Sequence, residues 1–218
     1  MDWLPAVVAA ACGLAYGWLA PGFQHYLYRD PEHRARPASG RRLLALRMFL
    51  AGSSALALFF AFRPGHYDAG PALATAAFAL VLLTLSSTDF ERRLIPNRLV
   101  YPALAAAAAL ACAWPDRDAG DVVLGAAVAL GAGATLFGLG LLPGGRGALG
   151  LGDVKLMVLV GLLSGWPLVV TALFLGVLFA GVPALVLTFA GRGRQYFSYG
   201  PYLAAGALVA LLFPGWFR

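Results

Sequence analysis

The chain has 218 residues, of which 61% are hydrophobic and 12% are charged, and its formal net charge is +6 at pH 7. In soluble globular domains about a quarter of the residues are charged. The composition therefore excludes an ordinary soluble domain and indicates an integral membrane protein.

The apolar stretches predict about eight transmembrane helices, because a helix needs about 20 residues to cross the hydrocarbon core of a bilayer. We expect an all-α polytopic membrane protein with a single transmembrane domain, residues 1–218. A short basic cytoplasmic loop is expected at residues 24–43, between the first two helices. The predicted helices lie near residues 3–23, 44–62, 71–88, 99–114, 120–142, 153–166, 167–190 and 199–217.

The distribution of positive charge predicts the orientation of these helices. Most of the 16 lysine and arginine residues fall in loops on one side of the predicted bundle. By the positive-inside rule this side is cytoplasmic, so both termini are expected on the outer side. The topology explains the net charge, and we expect no nucleic-acid partner. The basic residues from 29 to 47 are expected to contact anionic membrane lipids or simply to set the topology.

Asp153 stands between a glycine-rich segment, residues 144–152, and an apolar helix too short to cross a bilayer. It is therefore expected within the membrane, where a carboxylate is costly and marks a functional site. The glycine-rich segment could re-enter the membrane before the sixth helix, since irregular backbone at that depth must face protein or a wet cavity. The simpler alternative is that Asp153 only caps the helix.

A second carboxylate, Asp89, ends the third predicted helix. Because the third and sixth helices run in opposite directions, both Asp89 and Asp153 are expected on the cytoplasmic side. The alternative is a surface ion pair of Asp89 with Arg92 or Arg93, and the same alternative applies to Glu91.

Two segments carry a resemblance to a known family. The pattern D-x5-IPN-x-L that starts at Asp89 and GLGDVKL at residues 150–156 resemble the signature segments of the type IV prepilin peptidases, which are GxGD aspartyl proteases of the membrane. Residues 13–31 and 198–211 resemble the first and last helices of that family. The resemblance implies a catalytic pair, Asp89 and Asp153, and residues that support the active site: Gly150, Gly152, Lys155, Pro96 and Asn97.

The implied activity is that of an aspartyl endopeptidase in the bacterial cytoplasmic (inner) membrane. Its implied substrates are type IV pilin-like precursors, whose short basic leader is cleaved at the cytoplasmic membrane face. Two neighbouring carboxylates can share a proton, so that one activates water while the other protonates the leaving group. No metal or cofactor is expected, since the three histidines do not group along the sequence.

Two further interpretations follow from the sequence. A small proton- or cation-coupled transporter could use Asp89 and Asp153 as its ion site.

Many members of the resembled family also methylate the cleaved pilin and carry two cysteine pairs between their first two helices. Residues 24–43 contain no cysteine, so we expect no zinc-binding domain there. N-methyltransferase activity is doubtful, and S-adenosylmethionine would be a cofactor only if that activity were retained.

Overall fold

The computed structural model describes residues 2–28, 39–111, 114–115, 117–142, 149–189 and 198–217. Within these ranges the chain forms eight α-helices, two short 3₁₀ helices at Gln24–Leu27 and Pro214–Trp216, and no strand. The α-helices are α1 (Leu4–Phe23), α2 (Gly40–Ala61), α3 (Ala69–Arg92), α4 (Asn97–Ala109), α5 (Ala119–Gly140), α6 (Leu151–Ser164), α7 (Leu168–Phe189) and α8 (Gly200–Leu212).

Five of these helices, namely α1, α2, α3, α5 and α7, are long and apolar enough to cross a membrane. The prediction of an all-α polytopic membrane protein is thus confirmed. The remaining three are shorter, with 13 residues in α4, 14 in α6 and 13 in α8. The sequence predicted the short length of α6, whereas α4 and α8 are shorter than expected. At 1.5 Å per residue each is only about 20 Å long.

Two helix ends extend four residues beyond the hydropathy-based prediction. Helix α2 begins at Gly40 instead of residue 44, so the predicted loop of residues 24–43 is shorter, and its residues 29–38 lie outside the described part of the chain. Helix α3 continues to Arg92 and is ended by Arg93, whose φ of 54° is left-handed. Hydropathy marks only the apolar part of a helix, whereas charged residues can extend its ends toward water. Asp89 consequently lies one turn inside α3.

Helix α3 is the central element of the fold. Every residue from Leu82 to Asp89 is buried, and α3 packs against α2, α4 and α8. Hydrogen bonds link it to the chain at both ends: Trp114 Nε1 donates to Thr75 Oγ1 at 2.9 Å, and Ser87 Oγ donates to the Gln24 side chain at 3.2 Å. Such polar contacts hold helices together in lipid, and they fix the end of α3 that carries Asp89.

Helix α6 is held by a close glycine contact with α5. A Cβ atom built at Gly161 of α6 would lie 2.5 Å from the carbonyl oxygen of Gly125 and 2.8 Å from Ala129 Cβ. Only glycine permits two helix backbones to approach so closely. The other side of α6 packs against α4, α7 and α8, so its first turn, which carries Asp153, has a fixed place in the bundle.

Candidate functional site

Asp89 is held by the first residues of α8. Its side chain is only 6% exposed. The Oδ2 atom accepts a hydrogen bond from the backbone N–H of Gly200 at 3.0 Å and another from the hydroxyl of Ser198. Among the described residues Asp89 forms no salt bridge, so the alternative of a surface ion pair with Arg92 or Arg93 does not hold.

The close approach of α8 to Asp89 requires glycine at position 200. A Cβ atom there would lie 2.5 Å from Asp89 Oδ2 and 3.0 Å from its Cγ. A side chain at this position would displace the carboxylate or the start of α8. Gly200 therefore contributes both a hydrogen-bond donor and the space that the acid occupies.

Asp153 is the third residue of α6 and is half-buried. Its Oδ2 atom accepts a hydrogen bond from the backbone N–H of Gly150, the N-cap residue, at 3.1 Å. This bond is the side-chain half of a capping box, so Asp153 does stabilise the start of the helix. The same first turn contacts the segment that follows α3, the helix that carries Asp89. Capping and a functional role are thus compatible here.

The structure brings the two sequence segments into direct contact at this end of the bundle. A Cβ atom at Gly152 would lie 3.2 Å from Ile95 Cβ, and Lys155 Nζ donates to Asn97 Oδ1 at 2.9 Å. Lys155 also lies over the Tyr101 ring, 4.8 Å from its centroid. Buried Pro96 is the N-cap residue of α4. The residues expected to support the site therefore join the segment after α3 to the first turn of α6.

Other predicted features have different places. Glu91 pairs with the adjacent Arg92 at 3.4 Å, and both side chains are partly buried, so the pair is not the surface pair of the alternative. Within the described ranges, no group of three or more His, Cys, Asp or Glu side chains is arranged to hold a metal ion. Residues 144–148, which form most of the glycine-rich segment, lie outside the described part of the chain, and so do Cys112 and His33.

Ser198 and Gly200 were not among the predicted site residues. The only signal for them was the similarity of residues 198–211 to the last helix of the resembled family. That similarity predicted a helix. It did not predict that Ser198, which precedes the helix, and Gly200, its first residue, bind Asp89.

Two carboxylates at one end of an all-helical bundle define a polytopic membrane protein with an acidic site. The sequence profile of the type IV leader peptidase family matches residues 76–185, a range that includes both Asp89 and Asp153. The chain belongs to the type IV leader peptidase family and is a protease.

Three relatives from bacteria illustrate the similarity, and each is named prepilin leader peptidase/N-methyltransferase. That of Burkholderia pseudomallei (strain 1026b) is 29% identical over 217 residues, which cover 96% of this chain and 68% of the relative. That of Bacillus subtilis (strain 168) is 31% identical over 140 residues, or 62% of this chain and 54% of the relative. That of Escherichia coli (strain K12) is 30% identical over 139 residues, or 62% and 60%. No solved structure matches the chain significantly.

Proposed function

We propose that this protein is an aspartyl endopeptidase that removes the basic leader from type IV pilin-like precursors at the cytoplasmic face of the inner membrane. The observation that carries the proposal is the convergence of Asp89 and Asp153 at one end of the bundle, where the segment after α3 contacts the first turns of α6. The family assignment and the names of the relatives support the choice of substrate.

In the proposed reaction one carboxylate takes a proton from a water molecule, and the resulting hydroxide adds to the carbonyl carbon of the scissile peptide bond. The other carboxyl group donates its proton to the leaving nitrogen, and the carbon–nitrogen bond breaks. The pair titrates as a unit. After the step it again holds one proton, which now lies on the carboxyl group that took it from water. The bonds from Ser198 and Gly200 hold Asp89 Oδ2, and in the proposed reaction Oδ1 is the atom that contacts water.

The proposed substrate suits the position of the site. Asp89 lies near the end of a membrane-spanning helix, so the site lies at the depth where a substrate chain would leave the bilayer. A precursor whose helix lies in the membrane and whose leader projects into the cytoplasm would present its cleavage site at this depth. We further propose that membrane lipids surround the bundle and that nucleic acids are not partners.

The test is cleavage of a pilin-like precursor by the protein purified in detergent. Asp89→Asn and Asp153→Asn are nearly isosteric, and each should lower the rate by at least about 100-fold, because each removes a group that must transfer a proton. Glu91→Gln is the matched control, since Glu91 lies two residues from Asp89, is paired with Arg92, and is expected to leave activity intact. Full activity of either asparagine variant would refute the assignment.

The transporter alternative is not retained. Membership of a protease family accounts for both carboxylates, and no observation within the described residues favours an ion pathway. Cleavage that depends on Asp89 in detergent supports the peptidase. Ion flux after reconstitution of the same protein in liposomes, without cleavage, would support the transporter.

A further inference from the structure

Arg47 is a cation inside a helix that is long and apolar enough to cross the membrane. It lies two turns from Gly40, the first residue of α2, so its backbone is about 10 Å from that end of the helix. Arg41 and Arg42, in the first turn, are exposed, whereas Arg47 is partly buried. An ionised side chain at this depth is costly unless it meets a partner of opposite charge.

The described residues supply no such partner for Arg47. None of their carboxylates forms a salt bridge with it, and its buried Nε atom has no hydrogen-bond partner among them. The guanidinium lies over the ring of Trp18 in α1, with Cζ 5.5 Å from the ring centroid. A cation is attracted to an aromatic face, but the ring carries no net negative charge. The positive charge of Arg47 is therefore not neutralised within the described part of the chain.

The end of α1 leaves space beside this guanidinium. Deeper in the membrane α1 and α2 are in close contact, since a Cβ atom at Gly13 would lie 2.6 Å from the backbone oxygen of Ser54. A Cβ atom at Gly22 would have one neighbour within 4 Å among the described residues, Arg47 Nη2 at 3.9 Å. Trp18 and Gly22 are four residues apart and share one face of α1. The two helices thus form a shallow open site between the Trp18 ring and Arg47.

The surface around this site is apolar. Leu44 and Met48 of α2 and Trp18 and Leu19 of α1 are all exposed, and in a membrane-spanning bundle such side chains contact lipid. Tryptophan typically lies at the level of the lipid headgroups. The side chain of Arg47 leans toward the start of its own helix, as helical side chains do, and long basic side chains extend toward the interface. The guanidinium therefore lies at headgroup depth, next to acyl chains.

We propose that Arg47, Trp18 and the open face of Gly22 bind the phosphate of an anionic phospholipid, whose acyl chains cover the apolar surface around the site. The guanidinium donates to the phosphate oxygens, and the nearby Arg41 and Arg42 add to the positive potential. A zwitterionic lipid also carries an ammonium group, which these cations repel. The same repulsion disfavours the basic leader of a precursor. No step of the proposed reaction uses these residues, so the inference goes beyond the proposed function.

Native mass spectrometry of the protein purified in detergent tests the site without any substrate. Phosphatidylglycerol should bind at least about 10-fold more tightly than phosphatidylcholine, because one hydrogen bond to a charged group contributes about that much. Arg47→Met should abolish this preference. Arg41→Met is the matched control, since it removes the same charge from the exposed start of α2 and should leave the preference intact. Equal losses in the two variants would show only a diffuse positive potential and would overturn the proposal.

A second variant changes the shape of the site and not its charge. Gly22→Leu places a side chain against Arg47 Nη2 and should weaken phosphatidylglycerol binding as Arg47→Met does. Gly52→Leu is its control, because a Cβ atom at Gly52 has nothing within 4 Å. Unchanged binding in Gly22→Leu would contradict the assignment. Displacement of the lipid by glycerol 3-phosphate would also contradict it, because the ligand would then be a soluble phosphate.

Discussion

The hydroxyl of Ser198 and the N–H of Gly200 hold the same oxygen of Asp89. We expect Ser198→Ala to lower kcat about 10-fold. Loss of one hydrogen bond to a carboxylate costs about 1.5–3 kcal/mol, and the Asp89 side chain becomes free to rotate. Ser198→Thr keeps the hydroxyl and should recover most of the activity. The measurement is kcat for precursor cleavage together with its pH profile, which a purely structural role would not shift. Equal loss in the alanine and threonine variants would argue against positioning by the hydroxyl.

Gly200→Ala should have a larger effect than Ser198→Ala. The added methyl group would lie within 2.5 Å of the carboxylate oxygen, so the carboxylate must leave its position. We expect activity to fall about 100-fold or more while the protein stays folded in detergent, since overpacking typically costs only about 1–3 kcal/mol of stability. Gly131→Ala is a control in open space. An active Gly200→Ala enzyme would show that the approach of α8 to Asp89 is not needed for catalysis.

The sequence alone predicts the two acids as the catalytic pair because each stands in a local pattern, D-x5-IPN-x-L or GLGDVKL. Ser198 could not, because its partner lies 109 positions away and a single serine before a helix has no signature of its own. Local patterns indicate the groups that we propose to react. The residues that orient them depend on tertiary packing.

The segment that follows α3 is tied to α6 by the hydrogen bond from Lys155 to Asn97. We expect Lys155→Met and Asn97→Leu each to reduce kcat about 3- to 10-fold. Each removes the hydrogen bond that fixes the segment after Asp89 relative to the helix that carries Asp153. The double variant should be no worse than the more impaired single variant, since both changes remove one interaction. Additive losses in this double-mutant cycle would show that the two side chains act independently.

Helices α5 and α6 meet at Gly125 and Gly161 without room for a side chain. A Cβ atom at Gly125 would lie 2.7 Å from the Gly161 carbonyl oxygen. Gly125→Ala should lower stability by about 1–3 kcal/mol. Gly131→Ala lies on the same helix with nothing within 4 Å, and it should be neutral or stabilising by up to about 1 kcal/mol. Thermal unfolding in detergent distinguishes these outcomes, and equal midpoints for both variants would refute the close contact.

Helix number could be predicted from hydropathy, but helix ends could not. Each apolar run became one helix because only a helix satisfies the backbone in lipid. The end of α3 depends instead on the left-handed conformation of Arg93, and hydropathy carries no information about it. The position of this helix end determines whether Asp89 ends α3 or lies inside its last turn.

At the scale of the whole molecule, one prediction concerns the second activity in the names of the relatives. The internal stretch of residues 24–43 has no cysteine, so a zinc site closed by four thiolates cannot form in it. We predict cleavage without N-methylation. Mass spectrometry of the mature product from cells that express only this enzyme tests it, and an N-terminus heavier by one methyl group would refute it.

The short helix α4 also has a consequence for the surrounding lipid. It begins beside the site residues, exposes side chains such as Tyr101 to the surroundings, and is about 10 Å shorter than a typical hydrocarbon core. Mismatch costs a fraction of a kcal/mol per Å, so the bilayer beside the acids is expected to be compressed, which brings water closer to them. Activity in proteoliposomes should therefore fall as lipid acyl chains lengthen, and a flat response would refute this. A thicker membrane would then lower the activity of this protease without any inhibitor bound to it.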